Sequence, residues 1–204
     1  MIDYKDGDSD RLVAHGRFEA LRYVGIDVSG WDLRGASFVD CALSDVAAHE
    51  VGLTSAEFAD TTIDRLNAPI LTAPRSRWQE VSIDHSRIGS AELYNADLHA
   101  VHISNSKLGY INLRGAELTD VLFTNCTIDE LDLGGARVSR LAFVSSSVST
   151  LDTSRAKLAH VDLRGAELRS LAGLDDLRGT TMTGMQVGEL TPLFAERFGI
   201  TVDD

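Results

Sequence analysis

Between Phe18 and Leu168 every fifth residue is apolar or small, thirty steps without an insertion or deletion. These centres read Phe18, Tyr23, Val28, Leu33, Phe38, Leu43, Ala48, Leu53, Phe58, Ile63, Ala68, Ala73, Trp78, Ile83, Ile88, Leu93 and so on to Leu168. The period is neither the roughly 3.6 residues of a helix nor the 2 of a strand. A fixed period held this long specifies a solenoid. A second apolar or small residue precedes each centre by two, as Ala36 precedes Phe38 and Ala116 precedes Leu118. Two inward residues in five, with polar ones around them, describe a short extended segment that then turns a corner.

The number of sides follows from residue size. From Ala96 onward the residues two before each centre alternate: small Ala96, Ser106, Ala116, Cys126, Ala136, Ser146, Ala156 and Ala166 against large Val101, Ile111, Val121, Leu131, Leu141, Leu151, Val161 and Leu171. Like stacks on like only if each coil holds an even number of units, which excludes three sides and fits four. Where the centre itself is small, at Ala48, Ala68, Ala73 and Thr153, the residue two before is large, namely Val46, Leu66, Leu71 and Leu151. Volume lost at one inward position returns at the other, as native packing density requires.

The units Ala36-Ser37-Phe38, Ala56-Glu57-Phe58, Ala96-Asp97-Leu98 and Ala116-Glu117-Leu118 resemble the A-(D/N)-L-X-X unit of the pentapeptide-repeat family, over about three quarters of the chain. The resemblance implies an all-β fold: a right-handed, quadrilateral parallel β-helix with twenty residues per coil and a short C-terminal helical cap. Three segments are expected: an acidic N-terminal segment or cap over 1–15, the β-helix over 16–171 in about 7.75 coils, and a C-terminal cap over 172–204. Glycines two after a centre, at Gly25, Gly30, Gly35, Gly115, Gly135 and Gly165, suit corners that need positive φ. Pro69 and Pro74, one after a centre, suit the position before it. Corners with Ser, Asn or Asp in the glycine position are expected to use other turn types. After Leu171 the phase fails, with Gly173 and Arg178 in the next centre positions. Thr191 as N-cap, Pro192 in the first turn and Gly199 past the end predict a short helix from Pro192 to Phe198.

Cys41 and Cys126 both fall on inward positions, roughly 20 Å apart along the stack at about 4.8 Å per layer. That excludes a disulfide and a shared metal, so both are expected as reduced core thiols. No apolar run approaches the ~18 residues of a membrane span, and the first ten residues are acidic rather than basic and apolar as a signal peptide requires. A cytoplasmic, non-membrane protein is expected. No cofactor, no metal and no enzymatic activity are expected either: His99 and His102 with Asp97 are the nearest thing to a catalytic constellation, and surface histidines on a polar repeat explain them better.

The formal net charge of −12 argues against direct nucleic-acid binding, which needs a basic footprint. It permits imitation of nucleic acid. The face through Phe38, Phe58, Trp78, Leu98 and Leu118 carries Asp40, Glu57, Asp60, Glu80, Asp97, Glu117 and Asp120 against Arg77, a net −6 over about 19 Å. One strand of B-DNA presents a charge per about 3.4 Å, a comparable density. Further along, the same face turns basic at Arg137, Arg140 and Lys157. The chain looks similar to the quinolone-resistance pentapeptide-repeat proteins, which implies binding to DNA gyrase or topoisomerase IV as a duplex surrogate. The alternative is a rigid scaffold or interaction module with an unrelated partner. Leu193, Phe194, Phe198 and Ile200 either cover the last coil or form a homodimer contact, the latter implied by the gyrase-protecting members.

Overall fold

The computed structural model describes residues 4–201, and its strands stack in parallel at a spacing of twenty residues. Phe18 pairs with Phe38, Phe38 with Phe58, Phe58 with Trp78 and Trp78 with Leu98, and the same register runs along every face. Four centres fall in each coil, so the solenoid has four faces, headed by Phe18, Tyr23, Val28 and Leu33. The first two faces join in a 14-stranded sheet and the third and fourth in a 7-stranded one.

The repeat sorts inside from outside as its pattern dictates. Every centre from Phe18 to Leu163 is buried except Leu93 and Leu158, which are half-buried, and the residues two before the centres are buried without a break from Ala36 to Leu171. Aromatic rings line up along the first face, tilted from Phe18 to Phe38 with centroids 5.1 Å apart, then stacked from Phe38 to Phe58 at 5.1 Å and from Phe58 to Trp78 at 4.2 Å. Ser76 interrupts a column of alanines for a reason: its hydroxyl accepts the Trp78 indole N–H at 2.7 Å and donates to the Ala73 carbonyl at 2.6 Å. On the second and third faces inward hydroxyls close the ladder at corners. Ser86 Oγ accepts the Leu66 N–H at 3.0 Å and donates to the Asp84 carbonyl at 2.8 Å, and Ser146 Oγ accepts from Cys126 at 3.1 Å. Cys41 and Cys126 are buried free thiols, and burial pushes both pKa values up.

The corners differ from expectation in two ways. Twenty non-glycine residues, all at multiples of five, have positive φ, among them Asp40 (51°), Asp60 (49°), Glu80 (53°) and Arg140 (60°). The same left-handed corner is therefore built whether or not glycine fills it, rather than by other turn types. Conversely Gly165 has no positive φ. Its glycine is required by close approach, since a Cβ there would lie 1.9 Å from the Phe143 carbonyl oxygen. At the corners after the third-face centres, Ile70, Ser90, Tyr110, Glu130 and Thr150 stay within continuous strands, and Pro69 lies inside the strand Asn67–Thr72.

The stack also outruns the repeat. Lys5 and Asp6 pair with Leu21 and Arg22, an offset of sixteen, and Val161 and Asp162 pair with Thr180 and Thr181, an offset of nineteen. The second face is thus ten strands deep, giving about nine turns where the strict period accounts for 7.75. Two helices follow: α1 (Gly184–Glu189) and α2 (Thr191–Phe198). α2 starts one residue before the predicted helix, with Leu190 rather than Thr191 as N-cap, and ends at Gly199 with φ 66° as the sequence indicates. α1 is opened by a capping box between Thr183 and Gln186. The Gln186 amide then donates to the carbonyls of Leu163 and Ala166 at 2.6 and 2.8 Å, closing polar groups at the end of the stack. Among the described residues no helix is long and apolar enough to cross a membrane.

Candidate functional site

The seven acids of the first face lie in two columns. Glu57, Asp97 and Glu117 share the outward position before the centre, in register with Arg77 and Arg137. Asp40, Asp60, Glu80 and Asp120 share the left-handed corner position two after it. Strand register sets both alignments, so each side chain meets the one twenty residues away rather than its sequence neighbours.

The first column is a charge ladder. Arg77 lies between Glu57 at 3.5 Å and Asp97 at 3.7 Å, and Arg137 reaches back one coil to Glu117 at 2.5 Å. In the corner column Arg140 donates from Nε and Nη2 to the two carboxylate oxygens of Asp120, at 2.5 and 2.7 Å, and this hydrogen bonding holds the Asp120 carboxyl below the usual range. Arg137 and Arg140, which in sequence mark where the face turns basic, thus neutralise its last two acids. Asp40, Asp60 and Glu80 form no side-chain ion pair among the described residues. Asp40 is half-buried and the other two are exposed.

The acidic surface is therefore narrower than the sequence count implies. Seven acids against Arg77, Arg137 and Arg140 leave a net −4, and the concentrated part is three carboxylates in successive coils, one per layer of about 4.8 Å. Their neighbours on the adjoining faces are Val39, Ala59 and Gln79 on one side and Ala42, Thr62 and Ser82 on the other. Asp40 and Asp60 stand at bends between strands, and Glu80 lies within the continuous strand Arg77–Asp84. The column can take a cationic surface along its length.

Other sequence candidates separate. His102 Nε2 lies 3.0 Å from Thr124 Oγ1, and the group of His99, His102 and Asp97 does not converge. At the C-terminus Leu193 and Phe194 pack against the core, whereas Phe198 and Ile200 are exposed with Met185 and Val187. An ion pair that sequence reading missed ties two coils of the fourth face, with the carboxylate buried and the guanidinium exposed: Asp132 accepts from Arg114 Nε at 2.6 Å and from the Gly134 N–H at 2.9 Å. Its role is to brace a corner.

No family model and no curated protein matches the sequence. Among solved structures, full-length QnrB1, a plasmid-mediated fluoroquinolone resistance protein, is 18% identical with TM-score 0.35, covering 96% of this chain and 95% of its own. HetL, a pentapeptide repeat protein involved in heterocyst differentiation regulation from a Nostoc cyanobacterium, is 18% identical with TM-score 0.33, covering 83% of this chain and 90% of its own. At those scores the alignments say nothing of what this chain binds. By its own five-residue period and its four-faced stack of twenty-residue coils, the chain has the fold of a pentapeptide-repeat β-helix.

Proposed function

We propose that the chain is a non-catalytic binding protein that presents its first face as a duplex surrogate to DNA gyrase or topoisomerase IV. The observation that carries this reading is the column Asp40, Asp60 and Glu80, three acids stacked in consecutive layers without a counter-ion. Like charges one layer apart cost some tenths of a kcal/mol each, and no ion pair among the described residues offsets it. The spacing, about 4.8 Å per charge, is looser than the roughly 3.4 Å of a DNA strand but of the same order.

A supercoiling assay tests this. Intact protein inhibits the enzyme at low salt, less at moderate salt, and a variant with Asp40→Lys, Asp60→Lys and Glu80→Lys does not inhibit. No inhibition by intact protein at a large excess over enzyme rejects the reading.

A second reading, a rigid interaction module for an unrelated partner, is favoured by the arginine ladder. Glu57, Asp97, Glu117 and Asp120 are paired within the chain, which is what a solenoid does to keep its own surface soluble rather than to imitate a polyanion. The same assay separates the two.

A further inference from the structure

We propose that Asp64, Asp84 and His85 form a binding site for one divalent transition-metal ion on the second face. Asp64 and Asp84 hold the same outward position in consecutive coils and pair in register, so two carboxylates stack one layer apart. His85 follows at a left-handed corner, φ 48°, which turns its ring back toward both. Nδ1 lies 3.0 Å from Asp84 Oδ2 and 3.5 Å from Asp64 Oδ1. Three ligand atoms thus converge, and either an Nδ1–H that donates to the carboxylates or a metal ion bound by Nδ1 in its place accounts for the approach. Ligands about 2.0–2.1 Å from a tetrahedral ion lie about 3.3 Å from one another. The two distances straddle that value.

The surroundings hold the ligands in place from outside the trio. Asp84 Oδ1 accepts from Ser104 Oγ and Asn105 Nδ2, each at 2.8 Å, and the Asn105 oxygen in turn accepts from Asn125 at 2.8 Å. Asp64 Oδ2 is held by the Arg65 guanidinium, which also holds Asp45 at 2.6 and 2.8 Å. Each carboxylate is thereby fixed through one oxygen while the other turns to His85, the division of labour that outer partners give metal-ligating carboxylates. Charge agrees: Asp45, Asp64 and Asp84 against Arg65 leave two negative charges, the complement of one divalent ion. The three side chains are 33%, 38% and 59% exposed, so an ion enters from solvent and water completes its coordination. Imidazole with carboxylate oxygens suits Zn²⁺ and Co²⁺. The convergence is particular: among the described residues this is the group of His, Cys, Asp and Glu whose ligand atoms all lie within 4.8 Å of one another. A linear scan misses it, because Asp64 and Asp84 meet only through the twenty-residue register.

The test is calorimetric titration of tag-free, full-length protein with Zn²⁺, and with Co²⁺ followed by its visible absorption. One ion binds per chain. His85→Ala and Asp84→Asn each weaken binding at least tenfold and abolish the Co²⁺ bands, with circular dichroism unchanged, while a His99→Ala/His102→Ala double variant binds as the parent does. Absence of stoichiometric binding by the parent, or affinity unaffected by His85→Ala, overturns the proposal. So does equal loss in the His99/His102 variant, which assigns the binding to scattered surface histidines.

Discussion

At the residue scale the fold rests on a corner that asks L-residues for a left-handed conformation and receives it twenty times over. Each such residue carries a cost of roughly 1–2 kcal/mol against glycine-like freedom, offset by the coil it closes. Gly135 isolates that cost: its φ is 68° and nothing lies within 4 Å of an added Cβ. Gly135→Ala is expected to lower stability by about 1 kcal/mol, read from urea unfolding, with no loss of strand signal. The pairs Asp45–Arg65 and Asp120–Arg140 predict a pH dependence. Hydrogen bonds from arginine depress both carboxyls, so their contribution is present above the ordinary carboxylate range, near pH 4, and fades as pH falls through the depressed folded values. Thermal midpoints should drop on acidification below about pH 4, and Arg140→Gln should flatten part of the drop; an unchanged profile in that variant contradicts the assignment. The centres were legible in the sequence because burial follows the period directly. Which acids are paired was not, since Arg137 and Glu117 meet only once the register is known and the long guanidinium arm can reach a coil back.

At the scale of elements, two features decide how the stack is held and ended. Along the first face the rings of Phe18, Phe38, Phe58 and Trp78 form a continuous pile, and Phe58 is covered on both sides. Phe58→Ala is expected to cost about 3–5 kcal/mol by chemical denaturation, and Phe58→Leu distinctly less. The end of the pile is a matter of polar groups. Gln186→Ala removes donors from two buried carbonyls and should cost about 1–3 kcal/mol, appearing as faster amide exchange in the strands 161–172 while the central coils stay protected. Equal exchange in parent and variant would show that α1 is an ornament rather than a cap. Helix α2 could be read from Pro192 and Gly199, but α1 escaped because Gly184 and Gly188 make it a poor helix by propensity. Its one signal was the spacing of Thr183 and Gln186, which fits a capping box. The extra coil escaped for a related reason: the chain drops a single residue between Leu171 and Thr180, which breaks the period while the register of the sheet adapts to nineteen.

At the scale of the whole molecule, each coil contacts chiefly its neighbours, so rigidity along the axis and a repeating surface come together. Much of that surface is paired within the chain, and among the acids left without an ion pair Asp40, Asp60 and Glu80 stand one above another at one edge. A polyanion surrogate must bind through such residual charge, and affinity so derived falls with ionic strength. The decisive measurement is the equilibrium affinity of the protein for DNA gyrase as a function of salt, beside a variant with Asp40→Asn, Asp60→Asn and Glu80→Gln. The account predicts steep weakening with salt for the parent, and for the variant a much lower affinity with a shallow dependence. Binding of equal strength and equal salt dependence in the two proteins, or none in either, would contradict it.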